Sequence, residues 1–187
     1  MEIRKLDLAK SNEVSFIENL YIESFPLSER RPVESMLDLY KGDSPFVIAV
    51  TLEDDNIVGF LTYWDLDEFI FAEHFAISPE FRNGGYGRKV MDLFIKDVIK
   101  PIILEVELPT TILSERRIGF YQRIGFRLWE NVQYQQPAYH KDGIAIPMKL
   151  MTYGDLDVEK NLIDIRSKLY SVVSVSYTHL RAHETRR

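Results

Sequence analysis

From Phe69 to Ile77 the chain runs through aromatic, β-branched and apolar residues, broken only by Glu73 and His74 and stopped by Ser78-Pro79. That composition, length and punctuation predict a buried strand, and alternation of side chains along it places Glu73 and His74 on opposite faces. After Arg82 come Asn83, Gly84, Gly85, Tyr86 and Gly87, and then Val90, Met91, Phe94, Ile95 and Val98 recur at helical spacing. The stretch therefore reads as strand, glycine loop and amphipathic helix, with the glycines at the helix N-terminus.

The same reading extends along the rest of the chain. Met1 to Leu6 forms a short strand, and Val14, Ile17 and Tyr21 keep helical spacing up to Phe25-Pro26, where the proline ends the helix. Pro32 opens a second helix with Val33, Met36, Leu37 and Tyr40 on one face. The polar segment Pro26 to Arg31 connects the two. Phe46 to Thr51 and Ile57 to Trp64 are strands joined by the turn Glu53-Asp54-Asp55-Asn56. Pro101 precedes a strand, Ile102 to Leu108, with Glu105 and Glu107 on one face. A short helix, Ser114 to Arg123, ends at Gly125. Strands Phe126 to Tyr134 and Gly143 to Met151 close the sheet as a hairpin with the long connection Gln135 to Asp142. Val158, Leu162, Ile165 and Leu169 mark a last amphipathic helix.

Glycines at a helix start leave the first-turn amides unpaired at the positive end of the helix dipole, which suits phosphate. Two nucleotide motifs fail on spacing. The dinucleotide fingerprint needs its first glycine directly after a strand, but Ser78-Pro79 and several further residues intervene before Gly84. The P-loop needs Lys and then Ser or Thr after its last glycine, whereas Gly87 is followed by Arg88-Lys89.

The stretch does resemble the pyrophosphate-binding segment of the GNAT acyltransferase superfamily: Arg or Gln, two residues, Gly, one residue, Gly or Ala. Arg82, Gly85 and Gly87 hold those positions, and Ala76 to Phe81 resembles the strand exit that precedes them. A second segment, with Phe120, Tyr121, Gly125 and Phe126, is similar to the family's helix ending Phe-Tyr, three residues, Gly-Phe. There Ser114 stands where the family has Asn, and Arg117 where it has Ala. The resemblance implies an α+β GNAT fold with a mixed central sheet of about six or seven strands and helices on both faces. The domain would span 1–152, followed by a helical extension over 153–174.

It also implies that acetyl-CoA is the acyl donor. Main-chain amides and side chains of Arg82, Asn83, Gly84, Gly85, Tyr86, Gly87 and Arg88 would hold the pyrophosphate, Phe75, Ala76 and Ile77 the pantetheine arm, and Ser114 the position of a further coenzyme contact. Tyr121 holds the position of the acid that protonates the departing thiolate. An ammonium acceptor, with a reference pKa of about 10.4, must lose a proton first. Glu73, a carboxylate in a buried strand, is the first candidate base, with Glu107 and Glu105 as alternates that could also hold a cationic acceptor. The expected reaction is direct acetyl transfer to a primary amine on a small molecule or peptide. The alternative is a catalytically idle acyl-CoA-binding or partner-binding module that kept the fold. A homodimer is left open.

Bulk composition narrows the classes further. With 187 residues, 45% hydrophobic and 28% charged, the chain has ordinary globular composition and length for one core. No apolar run is long enough for a membrane span, and Met1-Glu2-Ile3-Arg4-Lys5 is no cationic leader, so the default expectation is the cytoplasm. Zero cysteines exclude disulfides and thiolate nucleophiles, and the few histidines give no metal site. A net charge of −6 argues against nucleic acid. Val175 to Thr185, VSYTHLRAHET, resembles a translated sequencing adapter, and leaving out residues 175–187 as an artefactual tail gives 20 basic and 28 acidic residues, net −8.

Overall fold

The structure, a computed structural model, describes residues 1–139 and 143–174; His140 and the adapter-like tail lie outside the described residues. Among the described residues eight strands form one sheet: β1 (Glu2–Lys5), β2 (Phe46–Glu53), β3 (Asn56–Asp65), β4 (Ile70–Ile77), β5 (Ile102–Glu107), β6 (Arg127–Leu128), β7 (Tyr134–Gln136) and β8 (Ile146–Tyr153). Their order is β1-β2-β3-β4-β5-β8-β6, with β7 also paired to β8. Every pairing is antiparallel except β4 with β5. Five α-helices of the described residues pack on it: α1 (Ser11–Ser24), α2 (Val33–Lys41), α3 (Tyr86–Asp97), α4 (Ile112–Ile124) and α5 (Val158–Lys168).

The two faces of the sheet make two core layers. On one, Ile17 and Tyr21 of α1, Met36 of α2 and Ile165 of α5 meet Ile48, Phe60, Trp64, Phe71, Ile103 and Leu150. On the other, Met91 and Phe94 of α3 and Ile118 and Tyr121 of α4 meet Leu61, Ala72, Leu104, Val106 and Met151. Burying a side chain such as Met91 or Phe94 contributes about 1.5–3 kcal/mol, so a few such residues seat each helix. The β2–β3 turn takes positive φ at both central residues, Asp54 (49°) and Asp55 (64°), as a two-residue hairpin turn requires.

Two features position the functional residues. The parallel pairing of β4 with β5 covers only Ile70↔Ile102, Phe71↔Ile103 and Ala72↔Leu104. Beyond Ala72 the strands part: β4 continues beside β3 to Ile77, and β5 continues beside β8 to Glu107. The second feature is a β-bulge at the same level. Thr62 pairs with His74, and the next residue, Tyr63, pairs with Ala72, so Glu73 is an extra residue with no ladder partner. The bulge overturns the expectation that Glu73 and His74 face opposite ways. Glu73 follows Phe71 onto the α1–α2 face, and His74 lands on that face as well, against Tyr21 and Phe25.

The expected strand over Phe126 to Tyr134 is instead two short ones, β6 and β7. Between them the chain folds into a turn, Val132 N–H donating to Trp129 O at 3.3 Å, while the Trp129 indole donates to Thr152 Oγ1 at 2.9 Å and the Lys149 ammonium donates to Glu130 O. These side-chain anchors to β8 take the place of a continuous ladder. The other predicted strands and helices form within a few residues of their expected ends.

Candidate active site

The glycine loop leads into α3 through two left-handed residues, Asn83 (φ 65°) and Gly85 (φ 76°). Gly85 is the N-cap and supplies no side-chain cap, so the first-turn amides of α3 meet no capping group. The N-terminus of α4 contrasts with it. There Thr111 Oγ1 accepts from Ser114 N–H and Ser114 Oγ accepts from Thr111 N–H, both at 3.1 Å, in a reciprocal capping box. One helix start closes on itself; the other is left as an anion site.

Beside the open one lies a cavity of about 500 Å³ lined by Phe75, Ile77, Phe81, Arg82, Asn83, Gly85, Tyr86, Gly87, Arg88, Phe120, Arg123 and Ile124. It joins the half-buried end of β4 to the loop and to the aromatic end of α4. Arg82, Arg88 and Arg123 put three cations around it, and Arg82 is steadied by donating from Nε to Ile77 O at 2.9 Å. An uncapped amide cluster, flanking arginines and an apolar trough along Phe75 and Ile77 fit a pyrophosphate with an extended arm. Gly87, in the first turn of α3, faces Phe120 across this cleft, and a Cβ added there would lie only 3.5 Å from that ring.

Not every expected coenzyme residue lines the cleft. Ala76 is buried on the opposite face, in the α1–α2 layer, and the Ser114 hydroxyl is engaged in its own helix cap. Motif reading does not find Arg123, two residues beyond Tyr121; a cation on the face of a helix that approaches an anion loop is the signal that could have found it.

At the point where β4 and β5 part, α4 brings Tyr121 up from one side. Its ring packs on Phe120 and Phe126 at centroid distances of 5.1 and 5.4 Å. Burial pushes its phenol up to about 12, with Arg117 opposing and Glu107 adding to the rise, so at neutral pH it carries its proton. Glu107 itself is ion-paired with Arg117 on α4.

The carboxylates come from the other side. Glu73 is not an isolated base: its side chain is 1% exposed and ion-paired with Arg31, whose own side chain is 2% exposed. It also accepts from Trp64 Nε1 at 3.1 Å and Tyr139 OH at 3.2 Å. Glu105, across the gap on β5, accepts from Tyr134 OH, and burial first, then the nearby Glu73 charge, push its carboxyl up to about 8. His74 sits in the core. Its Nε2–H donates to Glu29 O at 3.0 Å, its Nδ1 accepts from Thr62 Oγ1 at 3.1 Å, and burial lowers its pKa, so it stays neutral. The polar segment before α2 thus lies directly over the bulge. Among the described residues no cluster of His, Asp and Glu could hold a metal ion, and no helix is long and apolar enough to cross a membrane.

A mixed sheet whose central parallel pair splays beside an uncapped, glycine-led helix is the arrangement that the resemblance to the GNAT acyltransferases implies. Residues 14–126 match the profile of the acetyltransferase (GNAT) family. An acetyltransferase structure of the GNAT family from Bacteroides thetaiotaomicron is 40% identical, with a TM-score of 0.88 over 92% of this chain and 98% of that one. The chain belongs to the GNAT acetyltransferase family and is an acyltransferase.

More distant structures share the fold. The ribosomal-protein-S18-alanine N-acetyltransferase from Escherichia coli is 16% identical, with a TM-score of 0.55 over 81% of this chain and 91% of that one. An aminoglycoside 6′-N-acetyltransferase complexed with coenzyme A is also 16% identical, with a TM-score of 0.56 over 84% of this chain and all of the other. No curated protein sequence matches it.

Proposed function

We propose that this protein transfers the acetyl group of acetyl-CoA directly to a primary amine, with Glu105 as the base and Tyr121 as the acid. The observation that carries the reading is the parting of β4 from β5 after Ala72 and Leu104, because it opens one gap between a proton donor and a proton acceptor. On the donor side, the α3 amides with Arg82, Arg88 and Arg123 would hold the pyrophosphate, and the exposed edge of β4 from Phe75 to Ile77 would run alongside the arm. That leaves the thioester carbonyl near the gap.

The incoming ammonium gives a proton to Glu105, directly or through a water. With its carboxyl near 8, Glu105 is a far stronger base than an ordinary glutamate and is still partly ionised at neutral pH. The nitrogen–carbon bond then forms as the carbon–sulfur bond breaks, Tyr121 protonates the departing thiolate, and the surplus proton on the acylated nitrogen returns to the Tyr121 phenolate directly or through water. Glu107, tied to Arg117, supplies charge near Tyr121, and Glu73 is tied to Arg31; neither is offered as the base. The names of the two distant structures put their acetyl groups on nitrogen, one on an aminoglycoside and one on a ribosomal-protein alanine. A primary amine is the acceptor chemistry we carry over from them.

The test is thiol release from acetyl-CoA across a panel of polyamines, aminoglycosides, amino acids and N-terminal peptides. Acetylated amine recovered with the released thiol is the expected result. Tight coenzyme binding without turnover on any amine would leave the idle acyl-CoA binder as the better description.

A further inference from the structure

We propose that Glu73 is a positioning residue, the tie by which the bulge of β4 holds two separate chain segments in place over the amine-acceptor side of the gap. The inference rests on the acetyltransferase reading above. Glu73 Oε1 takes both the Arg31 guanidinium and the Tyr139 hydroxyl, the latter at 3.2 Å, and Oε2 takes the Trp64 indole N–H at 3.1 Å. Arg31 comes from the segment between α1 and α2, and Tyr139 from the segment after β7, far apart in sequence.

Each end is secured again. The Arg31 amide donates to Tyr21 OH at 3.1 Å, and the carbonyl of Glu29, two residues earlier, accepts from His74. Tyr139 OH also accepts from Gln136 Nε2 at 3.0 Å, which links it back to β7. The Arg31 guanidinium lies over the rings of Phe46, Trp64 and Tyr139 at 5.1, 5.3 and 5.8 Å. A cation this deeply desolvated depends on its carboxylate, and removing one partner of such a pair is far more disruptive than removing both. The oxygens of Glu73 are committed to protein donors, which makes it an organiser of the acceptor wall. Two neighbouring carboxylates divide the labour: Glu105 moves the proton and Glu73 holds the shape.

Steady-state kinetics of Glu73→Gln, Tyr139→Phe and the pair Arg31→Met with Glu73→Gln, on an amine found in the panel, test this. The acceptor KM is expected to rise on the order of 10-fold in the single variants, because a loosened wall costs orientation. The acetyl-CoA KM should stay within about twofold, and the acidic limb of the pH–rate profile should persist, in place in Tyr139→Phe and moved to lower pH in Glu73→Gln, which removes a charge that helps raise Glu105. The paired substitution should be milder than Glu73→Gln alone, since it leaves no unpaired buried cation. A fall in kcat of about 100-fold in Glu73→Gln, with the acidic limb gone and the acceptor KM unchanged, would overturn the proposal and make Glu73 the base. Tyr139→Phe removes one hydroxyl only and carries the test if Glu73→Gln does not fold. If wild type acetylates no amine, the proposed function fails separately, and amide hydrogen exchange decides the tie: faster exchange at residues 27–31 in Tyr139→Phe supports it, and unchanged exchange overturns it.

Discussion

In the proposed reaction Tyr121 and Glu105 carry opposite protonation demands on either side of the gap, and their surroundings suit those demands by the same means. Burial raises both, holding a proton on the phenol and making the carboxylate a stronger base. Tyr121→Phe keeps the ring on Phe120 and Phe126 and removes only the acid. Turnover should fall about 10²- to 10⁴-fold with acetyl-CoA affinity, read by calorimetry, nearly unchanged. Glu105 also predicts the pH dependence of stability. A carboxyl whose folded pKa is raised to about 8 stabilises the fold fully below its unfolded value, and that contribution is lost as pH rises toward 8. Glu105→Gln, which stays neutral, should therefore gain thermal stability over wild type as pH rises from 5 to 8.5. Denaturation scans across that range check it, and a wild-type advantage that grows with pH would exclude a raised carboxyl at this position.

At the scale of elements, the uncapped start of α3 and the capped start of α4 fail differently when altered. Thr111→Ala should cost about 0.5–2 kcal/mol of stability through the lost cap and leave coenzyme binding intact. Gly85→Ala places a side chain at φ 76°, where the surrounding space is open but the backbone is strained, and should weaken coenzyme binding with a modest loss of stability. Gly87→Val acts by another route, since Gly87 is helical and its new side chain would enter the cleft against Phe120. Paired calorimetry and melting curves separate the three outcomes. The helices and the strand–loop–helix stretch are legible in the sequence because apolar periodicity and glycine punctuation are local signals. The bulge is not, because one inserted residue leaves the composition of β4 unchanged and shows only in its register with β3. Nor does motif reading show that Ser114 is spent on capping, or that Arg31 claims Glu73 from 42 positions away, because long-range partners leave no local periodicity.

Across the whole molecule, charge is distributed against its own average. The chain is net −6, yet Arg82, Arg88 and Arg123 converge on one cleft beside a positive helix end. A polyanionic donor, as proposed, would thus be drawn to one site and discouraged elsewhere. Raising salt from about 50 to 500 mM should weaken coenzyme affinity several-fold, since screening shortens from about 14 to about 4 Å, and Arg123→Ala should flatten that dependence. Titrations at four or five salt concentrations check it. Affinity indifferent to salt in wild type would remove the arginines from the donor site. The α5 extension belongs to the same packed unit, with Ile165 and Leu169 in the α1–α2 layer, so the sheet is covered by chain from both ends of the described sequence.

The bulge has an arithmetical consequence. Ile70 and Ala72 face α3, and so does Phe75; Phe71, His74 and Ala76 face α1. Strike out position 73 and those six residues alternate without a fault. Glu73 is the member of β4 that a shorter strand could omit without turning any neighbour over, so the ladder gives no reason for its presence. A chain lacking that single codon should still bind coenzyme along Phe75 to Ile77 while its acceptor side comes apart.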